Sequence, residues 1–185
     1  DVENEEGDQL TDGTEKTGTA TGKAQEFRTS GIQLTHVSSS TAVSAGSSAN
    51  DDAGTFILRF KVKAVGDAIY VSSLTDATLA GVVTSGKTSV NVDRSLTATV
   101  GGVSVTLANL TDTTLTSVGN YMIEDGEEET FELTTAVQIA ATVTATGQYR
   151  AALAGVSWLT TDVSPLTNAY SSNLSSFKTS YLFLN

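Results

Sequence analysis

The sequence predicts an all-β fold, an antiparallel β-sandwich, and three observations carry that reading. Ser, Thr, Ala, Val and Gly dominate its 185 residues, with one Pro and one Met. Small β-branched and hydroxyl side chains in such excess suit strands over helices. Apolar residues recur at period two, the spacing that turns one side of a strand to a core and the other to water. Turn formers interrupt the text about every ten residues, the rhythm of a sandwich of short strands.

Along the chain, residues 1–28 form an extended acidic arm rich in Gly and Thr, and residues 29–185 form the sandwich domain. Strand text begins at "FRTSGIQLTHV", where Ile32, Leu34 and His36 or Val37 alternate. The next stretch, "SSSTAVSAGSSANDDAG" (38–54), is full of turn formers and predicts a loop. In "TFILRFKVKAV", Phe56, Leu58, Phe60 and Val62 share one face, while Ile57, Arg59, Lys61 and Lys63 share the other. That is a half-buried antiparallel strand. "AIYVSSL", "SVNVD", "SLTATV" and "VSVTLANL" predict further strands, and Gly101-Gly102 marks a hairpin between the last two. From Phe131 through Leu133, Thr135, Val137 and Ile139 to Val143 the alternation is long enough to bend, bulge or divide. "GQYRAALAGVSWL" sets Tyr149, Ala151 and Leu153 on one face, "TTDVSPLTNAYSSNLSS" is loop, and "SYLFLN" closes the chain as a strand. Short helical turns fit 74–81 or 164–170.

Composition excludes several functions. A net charge of −11 denies a phosphate backbone its basic footprint, so no nucleic-acid partner is expected. An acidic coat suits an extracellular or cell-surface protein, as a solubilising surface or a weak binder of divalent cations. The chain has no Cys, which rules out disulfides, thiol catalysis and cysteine metal sites. No apolar run has the length of a membrane-spanning helix, so insertion of the chain into a membrane is not expected. A start at Asp1 fits a mature chain whose leader was removed, and equally an arbitrary boundary.

Candidate chemistry is sparse. Asp125, Glu127, Glu128 and Glu129 cluster in "IEDGEEETFEL", and Asp51 and Asp52 follow Asn50 in "SANDDAG". Ca²⁺ takes carboxylate oxygens, so Asp51, Asp52, Asp125 and Glu127 form a cation site if the two loops share one end of the sandwich. The competing reading is an Asp-Gly turn and a strand whose charges face water. EF-hand spacing is absent, and no other cofactor is indicated. His36 is the only His and has no nucleophile motif near it, which leaves it an edge or surface residue. No local motif supports a carboxylate pair for glycoside hydrolysis, and no enzyme is predicted. Trp158 with Tyr121, Tyr149, Tyr170 and Tyr181 makes either a sugar-binding platform or, as a lone Trp usually does, part of the core. Asn109 (Asn-Leu-Thr) and Asn173 (Asn-Leu-Ser) are glycosylation sequons.

The phrases "GTFILRFKV" (54–62) and "GEEETFEL" (126–133), with "GQYRAALAGVSWL" beyond them, resemble immunoglobulin-like β-sandwich domains of prokaryotic extracellular surface and filament proteins. The resemblance spans roughly 30–160. It implies a sandwich of immunoglobulin-like or jelly-roll type, a structural or adhesive role, and no catalytic residues. A polar arm becomes ordered when something supplies its hydrogen bonds, and strand addition to an exposed sheet edge is one way to do so. Residues 14–28 then run extended, with Leu10 and Phe27 as apolar anchors and Lys16, Lys23 and Arg28 meeting acidic surface. A head-to-tail contact of that kind builds an open fibre. The expectation is therefore a self-polymerising subunit of a pilus-like filament. The alternative is a monomeric adhesin or carbohydrate-binding module.

Overall fold

The computed structural model describes residues 30–46, 52–78, 83–94, 100–139 and 147–184. Strands are the only regular elements among them. In chain order they begin with β1 (Gly31–Ser44), β2 (Ala53–Val65), β3 (Ile69–Ser72), β4 (Thr75–Thr78) and β5 (Thr88–Arg94). There follow β6 (Val100–Asn109), β7 (Asn120–Ile123), β8 (Glu128–Ile139), β9 (Gly147–Leu159), β10 (Asn168–Tyr170) and β11 (Leu182–Leu184). A four-stranded sheet has the order β1-β2-β8-β6, and a second sheet has the order β4-β5-β9-β3-β7, with β10 and β11 also paired to β9.

The period-two stretches become the core. On β2, Phe56, Leu58, Phe60, Val62 and Ala64 are all buried, and Phe131, Leu133, Val137 and Ile139 continue that face on β8. Ile69, Val71, Val90, Val92, Tyr149, Ala151, Leu153 and Val156 of the second sheet belong to the same cluster. The arrangement is sandwich-like, and burial of each large apolar side chain contributes roughly 1.5–3 kcal/mol. Phe60 stacks on Phe131 with ring centroids 5.9 Å apart. The opposite face of β2 and β8 is charged: Arg59 meets Glu132 at 2.7 Å and Lys61 meets Glu128 at 2.6 Å. Such cross-strand pairs add little singly and help to hold the register.

Four expectations need correction. Residues 38–44 are strand, because pairing with β2 continues past a bulge at His36/Ser38 to Ser44↔Ala53. Gly101-Gly102 is no hairpin turn; it lies within β6, where a bulge between Val100 and Gly102 shifts the register against β8. Pairing is not wholly antiparallel, since β4 runs parallel to β5. The described part of 74–81 holds β4 and 164–170 ends in β10, where helical turns were expected. In each case a neighbouring strand supplies the hydrogen bonds that local text left open.

Candidate functional site

The first sheet ends in an unusual edge. β1 is 14 residues long, and its side away from β2 carries no strand among the described residues. An unpaired edge is a row of open N–H and C=O groups, a template for another chain. Natural edges are blunted by shortness, Lys, Pro or bulges. In "GIQLTHVSSSTAVS" there is no Asp, Glu, Lys, Arg or Pro, and the protection amounts to one bulge. The other edges differ. β4 and β7 are four residues each. β6 is partly covered, because Thr75 Oγ1 donates to the Val105 carbonyl at 2.7 Å.

Directly paired residues share a face, so Ile32, Leu34, His36, Ser39, Thr41 and Val43 all face inward with the core side of β2. Their burial declines along the strand. Ile32 is buried and Leu34 and His36 are half-buried, yet Ser39 is exposed and Val43 is 48% exposed. In the second half of β1 the inner face is thus open at Ser39 and Val43 and half-covered at Thr41, beside an edge that no described strand pairs. His36 packs edge-on against Phe177 at 5.8 Å between centroids, and its Nε2 is buried without a hydrogen-bond partner.

At the start of β1 lies a cleft of about 290 Å³, lined by Gly31, Ile32, Trp158, Ala169, Tyr170, Ser171 and Ser172. No charged residue lines it among the described residues. Its walls belong to the edge strand of one sheet and to β9 and the end of β10 in the other.

The sequence-predicted cation residues are not brought together. Asp125 and Glu127 sit in a tight turn in which Glu127 N–H donates to the Glu124 carbonyl at 3.0 Å and Gly126 takes φ 79°. The same turn docks on Ala64, near the end of β2, whereas Asp52 precedes its start. At about 3.3 Å per residue the two lie roughly 40 Å apart. Asp51 falls outside the described residues, as do Leu10, Lys16, Lys23, Phe27 and Arg28. Among the described residues no group of three or more His, Cys, Asp or Glu is placed to hold a metal ion.

The acidic phrase divides. Glu128 and Glu132 face outward to their cations, but Glu129 is in phase with Phe131 and Leu133 and is buried at 7% exposure. Counting back by twos from Phe131 would have found it. Asn109 Nδ2 donates to Glu129 Oε2, while Asn109 Oδ1 accepts from Thr111 N–H at 2.9 Å and Asp112 N–H at 3.2 Å. Burial raises the Glu129 pKa, the Asn109 hydrogen bond opposes that rise, and the nearby charges of Asp112 and Glu127 add to it. Asp112 itself is exposed, with its pKa lowered by hydrogen bonds from Thr114.

The Asn109 sequon is corrected by the same contacts. Its side chain is 1% exposed and its nitrogen is engaged inside the fold, which leaves a glycan no room on the folded chain. Asn173 is exposed, with φ 58°, in the loop after β10. The aromatic residues form no platform. Trp158, Tyr149 and Tyr121 are buried, and the exposed Tyr181 lies under the Arg150 guanidinium, 4.6 Å from the ring centroid.

No family model, curated protein or solved structure matches this chain.

Proposed function

We propose that the chain is a structural subunit of a prokaryotic extracellular filament, polymerising without covalent links by strand addition of a terminal segment to β1. The observation that carries this reading is the long, uncharged edge of β1, which pairs with no strand among the described residues. Each chain with a net charge of −11 repels its copies, and β1 is a stretch where that repulsion is locally absent. Main-chain bonds along β1 supply affinity, and the exposed inward positions Ser39 and Val43 accept alternate side chains of the added strand. The donor is the N-terminal arm of a second copy, in which Lys16, Lys23 and Arg28 are available to acidic surface. Immunoglobulin-like kinship and placement at the cell surface belong to the same proposal.

The test is negative-stain microscopy with sedimentation, on the full chain, a variant lacking residues 1–28, and Ser39→Lys. The described strands and their core all lie beyond residue 28, so the shortened chain retains them. Fibres from the full chain and monomers from both variants are expected. An inward charge at Ser39 blocks an incoming strand while leaving the sandwich intact. A full chain that stays monomeric at high concentration refutes the reading.

A further inference from the structure

We propose that Asn173 is a site of N-glycosylation, the acceptor of an oligosaccharide carried on a lipid phosphate. The inference rests on the cell-surface placement proposed above and is independent of polymerisation. The chain has two Asn-x-Ser/Thr sequences, Asn109-Leu110-Thr111 and Asn173-Leu174-Ser175. The fold treats them oppositely. The reaction takes the Asn amide and requires the hydroxyl two residues on. At Asn109 both groups are already used: Nδ2 donates to Glu129, and Thr111 Oγ1 accepts the Thr130 N–H at 2.8 Å. Asn173 and Ser175 are both exposed, and neither side chain makes a hydrogen bond among the described residues. Between them Leu174 is half-buried against the core, and its carbonyl accepts the N–H of buried Phe177 at 3.0 Å. The tripeptide is held by its middle residue and presents its two ends. A φ of 58° accounts for an Asn at 173, since Asn tolerates the left-handed region. It does not account for a hydroxyl at 175, where the side chain is exposed.

The step is a substitution at the anomeric carbon of the sugar. A bond forms from Asn173 Nδ2 to that carbon, and the carbon–oxygen bond to the lipid phosphate breaks. The lipid phosphate leaves with the electron pair, one Nδ2 proton passes to a base of the transferase, and nothing is oxidised or reduced. Ser171 and Ser172, just before the site, share a cleft with Gly31 and Ile32 at the start of β1. A bulky, hydrated glycan beside them blunts that end of the edge. The Ser39–Val43 half begins roughly 23 Å further along β1 and is left for pairing. The experiment incubates the purified folded chain with a single-subunit oligosaccharyltransferase of Asn-x-Ser/Thr specificity and a lipid-linked oligosaccharide, and reads intact mass and peptide maps. The folded chain is expected to gain one oligosaccharide, at Asn173. Ser175→Ala should abolish the gain and Ser175→Thr should keep it, with far-ultraviolet dichroism unchanged in both. A free peptide of residues 105–115 should accept the sugar that Asn109 in the folded chain does not. A folded chain left unmodified, or modified at Asn109, overturns the proposal, as does a Ser175→Ala chain modified like the parent. The surface placement fails separately, on recovery of the chain from the cytoplasm of the cells that make it.

Discussion

β1 and β9 are strands of 14 and 13 residues, both built largely from small side chains, and they end in opposite states. β9 pairs with β5, from Ser89↔Gly155 to Arg94↔Tyr149, and with β3, at Val71↔Trp158. It also pairs with the C-terminal segment, at Asn168↔Trp158, Ala152↔Lys178 and Leu184↔Gly147. Thr179 strengthens that pairing, accepting the Ala151 N–H on its hydroxyl at 3.1 Å and donating its own N–H to the Ala151 carbonyl at 2.9 Å. Among the described residues β1 has one such neighbour, β2, and two of its six inward positions, Ser39 and Val43, are exposed. Strand composition alone thus does not distinguish a core strand from an open template. Which strands arrive on each side does.

The largest effect should separate the two strands outright. Leu153→Ala on β9 is expected to cost about 2–5 kcal/mol, because Leu153 is buried in the common core. Val43→Ala on β1 should stay within about 0.5 kcal/mol. Denaturant midpoints measure both, and equal losses would break the comparison by showing that β1 is covered in solution. Next comes the protected edge itself. Thr179→Val removes the acceptor for a buried N–H and should cost about 1–3 kcal/mol, whereas Ser40→Ala on β1 should leave the midpoint unchanged.

Glu129 sharpens the comparison from inside the sheet. Its folded pKa is raised above the unfolded value, chiefly by burial. The stability contribution of its protonated form is therefore present in acid and lost as pH rises through the folded pKa. Glu129→Gln keeps an oxygen for Asn109 and should stabilise the fold at pH 7 by about 1 kcal/mol. Melting curves from pH 4 to 8 should show the parent losing this increment above the ordinary carboxylate range and the variant not losing it. The smallest effect belongs to the exposed pairs. Arg59→Ala should cost under about 1 kcal/mol, and less in high salt, as titration with NaCl during unfolding would show.

Much of the fold was legible because period two records burial locally. Phe56 to Val62 and Phe131 to Ile139 each state their own inward face, and each is buried as stated. Glu129 was legible in principle on the same count, but its charge argued for water and only the reach of Asn109 from β6 offsets that. The acidic loops were illegible as a pair, since their placement at opposite ends of β2 follows from antiparallel pairing of β2 with β8.

By itself the sequence determined the all-β class, the inward faces of β2, β8 and β9, the acidic surface and the absence of cysteine chemistry. Those follow from side-chain type and from a two-residue repeat, properties that a strand carries before it meets a partner. The tertiary structure decided that 38–44 is strand, that β4 runs parallel to β5, and that β1 has a partner strand on one side only among the described residues. A β-strand completes its hydrogen bonds only with distant segments, so its edges are defined by which segments reach it and which do not.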